Sequence, residues 1–119
     1  MTFNKTLTHN IMGCDYVVKF GRREDIRLGE ENLGLCRIYE KEILVCTEMN
    51  DCKTAKEWRG QTSEILAHEI FHAYLNEAGV DLEVDDPEEV LAFFYMKNWR
   101  KMNNSILSIL DEIGLLDNT

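Results

Sequence analysis

The fold is decided by residues 63–79, whose sequence is SEILAHEIFHAYLNEAG. Apolar side chains recur there at three- and four-residue intervals, as on the buried side of an amphipathic helix. Gly79 suits the left-handed residue that follows a helix, and Val80 is placed for the apolar contact of a Schellman motif. The segment therefore predicts a helix over residues 63–78 that stops at Gly79.

Two patterns give different starting points for this helix. Thr54 followed by Glu57 matches a capping box, which predicts a start near Ala55. Gly60 would lie inside that longer helix and would weaken it, which favours a start at residues 62–63 instead. The sequence leaves both starts open.

The residues after this helix predict more helix. Asp86 and Pro87 are typical of the N-cap and the first position of a helix. Residues 88–102 are apolar around much of their circumference, so we expect this helix to be well buried. The pair Asn103-Asn104 predicts a kink, or the cap of a last helix over residues 105–113 that ends at the following glycine.

The first half of the chain predicts β-structure, in three short apolar runs at residues 16–20, 35–39 and 43–47. Together with the helices, these runs predict an α+β fold in which a small antiparallel or mixed three-stranded sheet packs on the helix of residues 63–78. One or two C-terminal helices follow. The whole chain, residues 1–119, is expected to form one domain, β-rich over residues 1–53 and helical over residues 54–119.

The last two β-runs predict a hairpin. A turn centred on Lys41 would place Cys36 opposite Cys46 and Ile38 opposite Leu44, with these four side chains on one face. Free cysteine is among the most buried residue types, so we interpret Cys36 and Cys46 as small core residues rather than a redox pair. All four cysteines are expected to be free thiols in a reducing compartment.

Composition and charge exclude several classes of protein. The 119 residues are 45% hydrophobic and 9% aromatic with one proline, which excludes a disordered or collagen-like chain. No apolar run has the length of a membrane span, and residues 1–10 contain no signal-peptide core, so we expect a cytoplasmic protein that does not bind membranes. Residues 61–119 carry 3 basic and 12 acidic side chains, which accounts for the net charge of −9 and makes nucleic acid an unsuitable partner.

The helix of residues 63–78 contains the pattern H-E-x-x-H at residues 68–72. His68 and His72 are four residues apart, so they lie on one helical face, and both imidazoles can reach one metal ion near 2 Å. Glu69 points to the edge of that face, where it can reach a water molecule rather than the metal. The alternative interpretation is two surface histidines on an amphipathic helix, but the spacing and the helical context are those of zinc metallopeptidases.

A zinc site of this kind needs a third protein ligand. The metzincin continuation is excluded, because it requires glycine and histidine where this chain has Leu75 and Ala78. The remaining histidine, His9, is remote in sequence. Ligation by the thiolates of Cys14 or Cys52 is less usual at a hydrolytic site.

Carboxylates on the next predicted helix are the remaining candidates for the third ligand. A turn at Gly79 would fold that helix back against the first and bring Glu88 and Glu89 towards the histidines. Asp86 is better used as the N-cap. Glu88 and Glu89 are about 100° apart around a helix, so only one can face the metal, and their position alone does not choose between them.

Residues 61–94 resemble the small zincin-like metallopeptidases that are common in phages and prophages and are related to the ImmA/IrrE type. The resemblance rests on EILAHEIFHA at residues 64–73 and on EEVLAFF at residues 88–94. In that family an acidic ligand on the second helix is followed three residues later by alanine. The corresponding residues here are Glu89 and Ala92.

The resemblance implies a gluzincin-type fold reduced to its minimum and a zinc-dependent metallopeptidase that acts on a peptide or protein. It implies zinc held by His68, His72 and Glu89, with Glu88 as the alternative third ligand. A metal-activated water would attack the peptide bond, with Glu69 as the general base. The resemblance also suggests that residues 43–47 form an exposed edge strand along which an extended peptide pairs.

A second hypothesis comes from a different class of function. The chain would then be a phage accessory protein that keeps zinc as a structural staple and binds a host protein. A site closed by a fourth protein ligand would favour that hypothesis, whereas an open coordination position would favour the enzyme.

Overall fold

The computed structural model describes residues 3–49 and 51–116, which form an α+β fold with a mixed four-stranded sheet and two helices. The predicted α+β class is confirmed. In chain order the elements are β1 (Lys5–Ile11), β2 (Cys14–Gly21), β3 (Gly34–Arg37), β4 (Glu42–Cys46), α1 (Ala55–Glu77) and α2 (Pro87–Glu112).

Strand β1 is the strand that the sequence did not predict. Only Leu7 and Ile11 of this strand are buried apolar residues, too few to stand out among its polar neighbours. A two-residue turn joins β1 to β2 in an antiparallel hairpin. Both turn residues, Met12 and Gly13, have positive φ angles (51° and 90°), as in the type I′ turns that match the twist of a hairpin.

The sheet order is β1-β2-β4-β3, with β2 and β4 parallel and β3 and β4 antiparallel. Strand β4 is therefore an inner strand, and the expectation that residues 43–47 form an exposed edge is wrong. The edge strand on that side is β3. The order could not be read from the sequence, because an inner and an edge strand of this length are equally apolar.

The predicted pairing of Cys36 with Cys46 is also wrong. Cys36 pairs with Ile43, and a four-residue connection over residues 38–41 joins the strands, with Lys41 (φ 55°) at its end rather than at its centre. The register differs from the predicted one by three residues. Because that number is odd, Cys36 faces α1, whereas Cys46 lies in a separate cluster on the opposite face of the sheet.

Helix α1 starts at the earlier of the two predicted positions. The side chain of Thr54 accepts a hydrogen bond from the backbone N–H of Glu57 (3.1 Å), so its N-terminus is capped as the sequence indicated. At its other end Gly79 has a φ of 67°, and the N–H of Val80 donates to the carbonyl of Leu75 (3.1 Å). This is the predicted Schellman ending.

Helix α2 is one uninterrupted helix from Pro87 to Glu112, capped by Asp86 as predicted. The predicted cap of a separate last helix at Asn103-Asn104 is not present, since both asparagines continue α2. Neither helix among the residues described is long and apolar enough to cross a membrane.

The expectation that residues 88–102 are well buried is wrong. Only one side of α2, which includes Phe94 and Met102, packs into the core. A helix with neighbours on one side buries one stripe whatever its composition. The large apolar side chains that remain 43–63% exposed in this part of α2 are Phe93, Tyr95, Met96 and Trp99.

Helix α1 crosses the sheet face formed by β3 and β4, and Leu66, Ile70 and Ala73 are fully buried in that contact. Its C-terminal end is also held by polar contacts. Glu77 accepts hydrogen bonds from Tyr16 Oη and Lys41 Nζ, both at 2.5 Å. The Cys14 thiol, Lys41 and Tyr16 lower the pKa of Glu77 to about 2, so the carboxylate stays ionised and fixes the helix end to the sheet.

Gly34 of β3 is required by the close approach of α1. A Cβ atom at this position would lie 2.7 Å from Ile65 Cγ2 and 2.8 Å from Glu69 Oε2, too close for any carbon contact. The edge strand therefore lies directly against Glu69, the residue of α1 that the resemblance implies to be a general base.

Replacing Gly34 with alanine should lower the free energy of unfolding by about 1–3 kcal/mol, because the added methyl group overpacks this contact. Gly60→Ala is the matched control, since a Cβ there has nothing within 4 Å. It should raise stability by about 0.5–1 kcal/mol, as alanine is the better helix former. Urea unfolding measures both changes, and a neutral Gly34→Ala would contradict the close packing.

Candidate metal centre

His68 and His72 project from the exposed side of α1, and their rings approach each other through their Nε2 atoms. Their Nε2 atoms are 3.1 Å apart and their ring planes are inclined at 72°. Two nitrogens bound ~2.05 Å from one tetrahedral zinc ion would be roughly 3.3 Å apart. The two imidazoles therefore already have close to the separation that a shared zinc ion requires.

Glu69 lies beside this pair, on the side of α1 that faces β3. Its side chain is buried, and one of its carboxylate oxygens and a nitrogen from each histidine all lie within 4.8 Å of one another. Burial raises the pKa of Glu69 above its ordinary value, and the charge of His68 partly offsets this effect. A carboxylate placed here is well suited to accepting a proton.

The donor set fits zinc. Imidazole nitrogen and carboxylate oxygen are both common zinc ligands, and imidazole binds metals in its neutral form. Partial burial, followed by the charge of His68, lowers the pKa of His72. The neutral imidazole of His72 is therefore favoured at neutral pH, before any metal is bound.

Two cavities flank Glu69 along β3, and Glu69 lines both of them. The first, of about 410 Å³, lies between the start of β3 and the part of α1 that contains Glu64 and His68. The second, of about 390 Å³, lies between the end of β3 and the part of α1 that contains His72 and Leu75. Glu69 therefore lies between two neighbouring cavities that follow β3. We refer to these two cavities together as the groove.

The two predicted third ligands lie outside this group. Glu88 and Glu89 are exposed in the first turn of α2, and neither is among the metal-ligating side chains that lie within 4.8 Å of one another in the described residues. Phe94, which packs against Phe71 of α1, is five residues after Glu89, or about 140° around the helix. Glu89 instead lines a cavity with Ala78 and Val80 at the end of α1, and the structure does not bring it together with the histidines.

The remaining histidine and cysteines also lie elsewhere. His9 Nε2 is 2.9 Å from Ser105 Oγ, in a polar contact that joins β1 to α2. Cys14 begins β2 and acts on the pKa of Glu77 at the far end of α1, and Cys52 precedes that helix. None of these side chains belongs to the described group around His68 and His72.

Sequence reasoning missed the residues of the groove. Gly34 and Cys36 come from a strand whose edge position was not predicted. Glu64 carried a signal that could have been used, because it precedes His68 by one helical turn and so lies on the same face. Glu31 carried none, since it lies in a loop whose path depends on the rest of the fold.

Comparisons with protein-family models, curated proteins and solved structures found no match.

Proposed function

We propose that the protein is a zinc-dependent peptidase whose centre contains His68, Glu69 and His72. One observation carries the proposal: two imidazole nitrogens converge to 3.1 Å while a buried carboxylate lies beside them. A carboxylate next to two imidazoles on one helix is the arrangement that general-base hydrolysis of peptides uses. The resemblance to the small zincin-like metallopeptidases supports the same function.

The residues of the centre have separate roles. His68 and His72 would hold the ion, which would supply Lewis-acid activation of water and of the substrate carbonyl. A carboxylate oxygen of Glu69 accepts the proton of the attacking water and passes it to the leaving amine. Burial raises the pKa of Glu69, which favours uptake of this proton.

For the third ligand we propose Glu89, with Glu88 as the alternative. Either residue reaches the histidines only if the first turn of α2 moves towards them when zinc binds. Residues 81–86, which connect the two helices, are exposed along their whole length. A movement confined to residues 81–86 would therefore uncover no core residue, whereas Val80 before them is packed against the core.

The open edge of β3 supports a peptide as the substrate. The carbonyl of Leu33 accepts a hydrogen bond from Cys46, and in an antiparallel ladder the hydrogen-bonded pairs alternate. Gly34 and Cys36 therefore direct their backbone N–H and C=O groups away from β4. An extended peptide can pair with those groups as an added strand, which places one of its bonds beside Glu69.

Hydrolysis of quenched fluorescent peptides tests the proposal. The purified protein should cleave peptides, lose this activity when a chelator removes its metal, and regain it when zinc is restored at about one ion per chain. Zinc-loaded protein that cleaves no peptide, or cleavage that a chelator leaves unchanged, would contradict it. Stable zinc binding without cleavage would instead favour the accessory binding protein.

A further inference from the structure

We propose that the groove selects extended peptides with apolar side chains before the cleaved bond and lysine or arginine after it. This inference rests on the proposed function and concerns the substrate of the same centre. It follows from the different chemistry of the two cavities that flank Glu69 and from the direction of β3 between them.

The cavity at the start of β3 is acidic. The exposed side chains of Glu31 and Glu64 line this cavity. His68, which also lines it, is one of the two histidines of the candidate metal centre. Within the described part of the chain, neither glutamate lies within 4.0 Å of a lysine or arginine. Two unpaired carboxylates at one cavity attract a cationic side chain from the substrate.

The cavity at the end of β3 is largely apolar. Its apolar lining comes from three parts of the chain: the β3 region, α1 and the connection between the helices. The residues whose apolar side chains can face the cavity are Ile38, Leu75, Val80 and Leu82. Transfer of an apolar substrate side chain from water into this lining is favourable in proportion to the area it buries.

The direction of β3 sets the order of the two side chains in the substrate. The strand runs from the acidic cavity at Gly34 to the apolar cavity beyond Cys36. Antiparallel pairing is the more stable and the more frequent arrangement of two strands. A peptide added antiparallel to β3 places its N-terminal side at the apolar cavity and its C-terminal side at the acidic one.

The net charge of the whole chain also favours the binding of cationic peptides. The net charge of −9 attracts cationic peptides and repels acidic ones over distances set by the ionic strength. This general attraction does not depend on the order of residues in the peptide. A test of the groove must therefore compare peptides of equal charge as well as peptides of opposite charge.

The experiment uses three labelled ten-residue peptides. Peptide A has leucines in its N-terminal half and arginines in its C-terminal half, peptide B has the two halves exchanged, and peptide C has glutamates in place of the arginines. Fluorescence anisotropy measures binding to the wild-type protein in the presence of a chelator, so this readout needs neither metal nor catalysis. Cleavage of the same peptides is then measured with zinc.

Peptide A should bind about three- to tenfold more tightly than peptide B, and more tightly still than peptide C. The double variant Glu31→Gln/Glu64→Gln should lose most of the preference for A over B. Glu30→Gln is the matched control, since this exposed neighbour of Glu31 is not part of the cavity wall, and it should keep the preference. Equal binding of A and B, tighter binding of B, or a preference that survives in the double variant would overturn the inference.

Failure of this inference and failure of the proposed function give different results. Equal cleavage of peptides A and B would be consistent with the proposed peptidase activity and would contradict the proposed selectivity. Selective binding of peptide A without zinc-dependent cleavage would be consistent with the selectivity of the groove and would contradict the peptidase activity.

Discussion

Replacing Glu69 with glutamine should leave zinc bound and lower the rate of peptide hydrolysis by about 10²–10⁴-fold. Glutamine has the same shape as glutamate, so it fits the buried position between the two cavities. Its amide cannot accept the proton that hydrolysis must remove from water. The loss should therefore appear in kcat, with little change in peptide binding.

The control for this variant is Glu112→Gln, the same substitution at an exposed position near the end of α2. It should retain the activity of the wild-type protein. If the Glu69→Gln protein still hydrolyses peptides at the wild-type rate, Glu69 is not the general base. A Glu69→Gln protein that loses its zinc would show instead that Glu69 is a ligand.

Loss of the histidines should have the largest effect on metal binding. In the double variant His68→Ala/His72→Ala we expect no measurable affinity for zinc by isothermal titration, because two of the proposed ligands are gone. His9→Ala is the matched control. The imidazole of His9 contacts Ser105 instead of the centre, so its loss should leave zinc affinity unchanged.

The same titration distinguishes the two candidates for the third ligand. Glu89→Gln should weaken zinc binding by more than the ~10–100-fold that loss of an outer-shell partner costs, and Glu88→Gln should not. If Glu88→Gln weakens zinc binding and Glu89→Gln does not, Glu88 is the third ligand. No effect in either variant would show that neither carboxylate reaches the ion and that α2 keeps the position it has in the structure.

The ends of the helices could be predicted because their signals are local. Thr54, Gly79 and Asp86 each act on backbone groups within a few residues, so their effect does not depend on the rest of the fold. The pairing of Cys36 and the exposure of Phe93 could not be predicted in this way. The first depends on the shape of a loop, and the second on which elements happen to lie beside α2.

In the candidate centre, too, only the features that depend on local structure could be predicted. His68 and His72 are one helical turn apart, so secondary structure alone brings their rings together. Gly34 reaches Glu69 only because β3 is the edge strand over α1, and sheet order is a property of the whole chain. A ligand from α2 would depend in addition on how the two helices meet, which local sequence does not determine.

The most direct test of the central claim is the zinc content of the protein and its double variant, purified side by side without added metal. Elemental analysis should find about one zinc ion per chain in the wild-type protein and none in His68→Ala/His72→Ala. Equal zinc in the two proteins, or a wild-type protein that takes up no zinc even when it is supplied, would contradict the account.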